Sequence, residues 1–169
     1  LVRAQNRLGS SNKVFKEVLS EFWGWNEADF NRELKQQLLQ QAVVAKLDTA
    51  TQARAAAAFK ALQGGADFGA TAAQYSDDAA TKGNGGQYGA LITPNDANIS
   101  PVITAEIFKL KPGQTSHIID TGYTLEIIKV LDATATGRHA AHIQFTLAPI
   151  STYVAPWQAK HPSHAYIKV

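Results

Sequence analysis

From Asn12 to about Leu47 the apolar positions keep helical spacing: Val14, Phe15, Val18, Leu19 and Phe22 recur every three or four residues and share one face. Gly24 interrupts the pattern. Asn26 restarts it as an N-cap residue, with Glu27 and Asp29 in the first turn, where acids suit the positive helix end. A second stripe, Phe30, Leu34, Leu38, Leu39, Val43 and Leu47, then runs for about four turns and is expected to pack on a neighbouring element. Its polar face is rich in Gln rather than Lys and Arg, which argues against a helix lying on a membrane.

Asp48-Thr49-Ala50-Thr51 is a cap for a third helix through QARAAAAFKALQ, with Gly64-Gly65 as its left-handed stop. ADFGATAAQYS reads as a fourth, with Phe68, Ala72 and Tyr75 on one side, and Pro101 to Leu110 as a fifth, carrying Ile103, Ile107, Phe108 and Leu110. After a KPGQ turn the pattern becomes that of strands: His117 to Thr121, then Tyr123 to Leu131, joined at Gly122. A polar DATATGR connection precedes a third strand, His139 to Leu147. The end offers a Trp-containing segment and a last strand, Ala165 to Val169. Helices followed by strands predict an α+β fold with an antiparallel sheet.

Composition narrows the function classes. The 169 residues suffice for one domain, or for a small domain with an added helical segment. With 45% apolar and 18% charged residues and a net charge of +2, neither disorder nor a polyanionic partner is indicated. Lys and Arg are scattered without a nucleic-acid-binding pattern, so no nucleic acid is expected. The absence of cysteine removes disulfides, thiolate metal sites and cysteine nucleophiles. The absence of methionine leads to the expectation that Leu1 is a cut, with any leader or anchor upstream of it. No apolar run approaches the roughly 18 residues of a spanning helix.

The segment Ser76 to Gly89, SDDAATKGNGGQYG, concentrates four glycines in seven residues. A phosphate loop would follow its glycines with Lys and Ser or Thr, but Gly89 is followed by ALITP. A dinucleotide loop would need a preceding strand. A calcium loop would alternate acids over about twelve residues, and only Asp77 and Asp78 are offered. The pairs His139/His142 and His161/His164 have H-x-x-H spacing, yet positions three apart on a strand face opposite ways, so the first pair is badly placed for one metal. No serine has the setting of a nucleophile, and neither metal nor cofactor is expected.

Taken in order, ALQGGADFGATAAQYSDDAATKGNGGQYG resembles the parvulin peptidyl-prolyl isomerase signature: a helix, G-x-D-F, a helix closing in Y-S-D, and a loop ending in G-G-x-x-G. ISPVITAEIFKLKPGQTS and HIIDTGYTLEIIKVLD look like that family's next helix and closing hairpin, so the likeness runs from about Thr49 to Asp132. GWNEADFNRELKQQLLQQAVV resembles the last helix of the N-terminal segment of SurA-type foldases.

The resemblance implies a small antiparallel sheet packed with helices, behind an N-terminal helical segment. It implies an apolar proline pocket lined by Tyr88, Leu91, Ile99, Ile103 and Phe108, and a polar catalytic cluster near the amide. Asp78 matches the acid or cysteine after Y-S-D, and Glu126 falls where the closing strand has its histidine. The family's opening A-x-H-I-L strand is missing before Thr49, where the sequence reads VVAKLDTATQ. It recurs later as AAHIQFTL, with His142 as the histidine. Two accounts are open: Ala140 to Leu147 folds back, across the eight-residue connection from Ala133 to Ala140, into the vacant slot as a circular permutation, or His142 begins a second, truncated unit. Only 22 residues follow Leu147, which favours permutation.

The organisation expected is therefore a helical segment over 1–47, an isomerase domain over 48–132, and a C-terminal segment over 133–169 supplying the missing strand at 140–147. The function the resemblance implies is an extracytoplasmic foldase that isomerises prolyl bonds in unfolded or prolyl-containing clients. A non-catalytic chaperone or peptide-binding module of the same shape is the alternative.

Overall fold

A computed structural model describes residues 12–161 of the protein. The chain divides into two compact units, one up to Ala42 and one from Val43 onward. The first contains α1 (Asn12–Trp23) and most of α2 (Glu27–Leu47). Asn26 caps α2 as expected: its Oδ1 accepts the N–H groups of Ala28 and Asp29 at 2.8 and 3.0 Å, while its own N–H donates to Asp29 Oδ2 at 3.2 Å. Phe15 meets Phe30 edge to face with ring centroids 5.1 Å apart.

The stripe along α2 departs from expectation. Leu38, Leu39, Val43 and Leu47 are all exposed, and the residue that enters a core is Val44, at 6% exposure. One residue along a helix turns the side chain by about 100°, so packing the helix through Val44 leaves Val43 outside.

In the second unit, Asp48 caps α3 (Thr49–Gln63) and Asp67 caps α4 (Phe68–Tyr75); their carboxylates accept Thr51 N–H at 3.1 Å and Ala70 N–H at 2.8 Å. α5 (Pro101–Lys109) starts with proline, whose missing N–H costs nothing at that position. The sheet consists of β1 (Ile119–Asp120), β2 (Thr124–Ala133) and β3 (Arg138–Thr146), in that order and antiparallel throughout. Beyond β3, Gln87 bridges Ala141 and Ile92 bridges Arg138, so β3 is hydrogen-bonded on both sides. One face of the sheet, with Ile127, Ile143 and Phe145, packs with Ala55, Ala58, Phe68 and Ala72 of α3 and α4. The other, with Ile128, Val130 and Ala140, packs with Ile103 and Ile107 of α5.

Three boundaries move. β1 is shorter than His117 to Thr121, because Ser116 diverts the edge: its Oγ accepts Ile128 N–H at 2.9 Å. The β2–β3 connection is the tight turn Thr134 to Gly137, closed by Thr134 N–H donating to Gly137 O at 2.9 Å, in place of the eight-residue connection. A Cβ on Gly137 would run into the Ile92 carbonyl, so the turn passes under that chain only with glycine there. The Trp-containing segment forms α6 (Ser151–Lys160) despite Pro156. The strand expected at Ala165 to Val169 and the partner histidine His164 lie outside the described residues. No helix among the described residues is long and apolar enough to cross a membrane.

Candidate active site

The site begins where α4 ends. Of the adjacent acids, Asp77 holds the backbone: it pairs with Arg54 (Nη2 to Oδ1, 2.6 Å), its Oδ2 accepts Thr146 N–H at 2.9 Å, and its N–H donates to Gln144 O at 2.7 Å. Burial would raise its carboxyl, but the Arg54 hydrogen bond, the Thr146 N–H and nearby positive charge together hold it below the ordinary value. With Asp77 fixed to the end of β3, Asp78 turns inward.

The glycines then do a backbone task. Gly86 has φ +80°, its carbonyl accepts His142 N–H at 2.8 Å, and a Cβ there would collide with the His142 carbonyl. The loop is thus bonded to β3 at the very residue whose imidazole enters the site, and only glycine permits the approach.

Three side chains 64 and 16 residues apart meet on this face of the sheet. His142 Nε2 lies 2.9 Å from Asp78 Oδ2, and Nδ1 lies 3.1 Å from Glu126 Oε2. The His142 and Glu126 side chains are buried, at 5% and 9% exposure, and Asp78 is partly open at 23%. Two hydroxyls complete the network: Thr81 Oγ1 donates to Asp78 Oδ2 at 2.6 Å and lies 2.9 Å from His142 Nε2, and Thr124 Oγ1 donates to Glu126 Oε1 at 2.9 Å. A doubly protonated imidazole would donate to both carboxylates; a neutral one carries a single N–H. The Thr81 hydroxyl, foremost, holds Asp78 below the ordinary carboxylate value against the opposing effect of burial, with Ala80 N–H and His142 adding to it.

Tyr88 closes the site from above, its ring stacked on the imidazole with centroids 4.4 Å apart and planes 27° apart. Its N–H donates to Ala140 O at 3.0 Å. Burial, then the charges of Glu126 and Asp78, pushes its phenol far above the ordinary value. Tyr88, Ile99 and Phe108 pack around one apolar cluster, in which Ile103 is almost completely buried. Leu91 is half-buried beside Gly137, and the Arg138 guanidinium lies 5.2 Å from the Phe108 ring centroid.

Sequence reasoning missed Thr81 and Thr124. Thr81 stands three residues after Asp78, the span of a local side-chain turn, and Thr124 two before Glu126, on the same face of one strand. Those spacings were the available signals. His139 turns away from the site and pairs with Asp132 at 2.7 Å, and among the described residues no group of three His, Asp or Glu is arranged to hold a metal ion.

A family model described as Rotamase, PPIC-type PPIASE domain, matches residues 35–132, more than half of the 169 residues. The chain belongs to this family. The matched rotamase segment contains Asp78, Tyr88 and Glu126 and ends before β3, so His142 lies beyond it. Among curated proteins, the foldase protein PrsA of Pediococcus pentosaceus is 29% identical over 133 residues, 78% of this chain and 44% of its own length. The chain therefore spans less than half the length of that relative. Among solved structures, the peptidylprolyl isomerase PrsA of Bacillus anthracis aligns over 95% of this chain and 74% of its own at 21% identity, with a TM-score of 0.34. The foldase protein PrsA of Streptococcus pneumoniae aligns over 94% and 63% at 16% identity, with a TM-score of 0.32.

Proposed function

We propose that this rotamase-family chain is a peptidyl-prolyl cis–trans isomerase that acts as a foldase on unfolded, proline-containing polypeptides, outside the cytoplasm. The observation that carries the reading is the buried Asp78–His142–Glu126 network beside the apolar cluster of Tyr88, Ile99 and Phe108. The proline ring enters among Tyr88, Leu91, Ile99 and Phe108, with Ile103 behind them, and the scissile-free reaction needs only rotation about the imide bond.

Amide resonance sets a barrier of ~18–20 kcal/mol to that rotation. Twisting returns the lone pair to nitrogen and draws negative charge away from the carbonyl oxygen. Two carboxylates around one imidazole leave the cluster net negative even when the ring is protonated. Held rigidly beside the carbonyl oxygen, such a cluster disfavours the planar, charge-separated amide relative to the twisted one.

β3 takes the part of the family's opening strand, so that the isomerase domain extends through residue 147. In support, β3 pairs with β2 in the same sheet and is bonded on its other side to the loop after Asp78. A second, truncated unit starting at His142 would have no reason to pair along β2 and to be bridged on its other side by the chain at Gln87 and Ile92.

The test is the isomerisation rate of short X-Pro peptides, followed by exchange NMR. We expect turnover by the wild-type chain and at least a tenfold loss in His142→Ala and Asp78→Ala that keep their circular-dichroism spectra. No wild-type turnover, with client aggregation suppressed, would assign the chain to non-catalytic chaperones.

A further inference from the structure

The polar network is short of donors that face a substrate. Asp78 and Glu126 are acceptors when ionised, both imidazole nitrogens of His142 are turned toward carboxylate oxygens, and the hydroxyls of Thr81 and Thr124 are directed at Asp78 and Glu126. The Tyr88 hydroxyl differs. It has no hydrogen-bond partner among the described residues, and it is not among the buried polar atoms left without one. The hydroxyl therefore keeps contact with solvent, while its ring is stacked on His142 with centroids 4.4 Å apart and its backbone is held by Tyr88 N–H donating to Ala140 O.

A twisted prolyl bond offers an acceptor that the planar bond lacks, because the nitrogen lone pair is released from resonance. A donor already in position for that lone pair is stronger in the transition state than in the ground state. We propose that Tyr88 is a catalytic residue as well as a pocket wall: its hydroxyl donates a hydrogen bond to the prolyl nitrogen as the bond twists. The ring stack fixes the direction of the hydroxyl, and burial together with the charges of Glu126 and Asp78 keeps it protonated. The substrate class that benefits is any X-Pro segment, since the contact is to the imide itself and not to the side chain before proline.

The inference rests on the isomerase reading, and one series separates the two. Tyr88→Phe keeps the ring and its stack but removes the donor; Tyr88→Leu removes both. Exchange NMR with an X-Pro peptide gives the rate in the bound state, and titration gives peptide affinity. The expected result is that Tyr88→Phe lowers the bound-state rate by about tenfold with affinity changed less than twofold. Tyr88→Leu should lose affinity in addition. An active wild type whose Tyr88→Phe variant has the same bound-state rate overturns the donor role alone, as does a Tyr88→Phe variant that loses only affinity. A wild type without isomerase activity overturns the isomerase reading and the donor role with it.

Discussion

The Asp48 carboxylate accepts the backbone N–H of Ala148 at 2.8 Å across 100 residues of chain, and the same carboxylate caps α3 through Thr51 N–H. The end of β3 is thereby held at the beginning of α3. Asp48 is 3% exposed, so both bonds are sheltered from water. Asp48→Ala is expected to destabilise the second unit by about 2 kcal/mol, from the lost cap and the orphaned Ala148 N–H. Urea unfolding checks it, with a lower midpoint at unchanged slope.

Acid should undo this fastening. Burial raises Asp48 and Asp77, but hydrogen bonds from Ala148 and Thr51 to Asp48, and from Arg54 and Thr146 to Asp77, leave both below the ordinary 3.8. A folded-state value below the unfolded one contributes stability that is present above about pH 4 and is lost as pH falls through 3.8 toward the folded value. Urea midpoints measured from pH 7 to pH 3 should fall below about pH 4, and the fall should be shallower in Arg54→Ala.

Glycine is required at one position of the loop and not at another three residues away. Gly86→Ala meets both the left-handed backbone and the His142 carbonyl, whereas a Cβ on Gly89 meets nothing within 4 Å. Gly86→Ala should reduce isomerisation at least tenfold while Gly89→Ala stays within about twofold of wild type. Equal activities would show that the loop does not position the site.

Thr81 should control the acid side of activity. Its hydroxyl is the largest cause of the lowered Asp78 carboxyl, so Thr81→Ala lets that carboxyl rise toward 3.8. Asp78 then protonates at higher pH, and the acid limb of the kcat/KM profile should move upward. An unmoved limb would separate Asp78 from the rate-determining charge.

The amino-acid sequence determined every α-helix from Asn12 to Lys109 to within a few residues, since caps and stops are local: Asn26, Asp48 and Asp67 bond to N–H groups within the next turn. It also offered Asp78, Glu126 and His142 as candidates, through the family resemblance and the AAHIQFTL pattern, and the structure brings the three within hydrogen-bond distance. What it left undecided was long-range. Alternation fixes which face a strand residue occupies but not its neighbours, so only the pairing of Ile128 with His142 and Glu126 with Gln144 places the imidazole diagonal to the Glu126 carboxylate, and only the bonds of Asp77 to Arg54 and Thr146 bring Asp78 to its other side. The outward turn of Val43 and Leu47 was likewise beyond the pattern, because periodicity identifies an apolar face and packing chooses the rotation that buries Val44. Likewise, four glycines in a row of seven announce a tight turn, while the reason for Gly86 exists only where the His142 carbonyl presses against it in the folded chain.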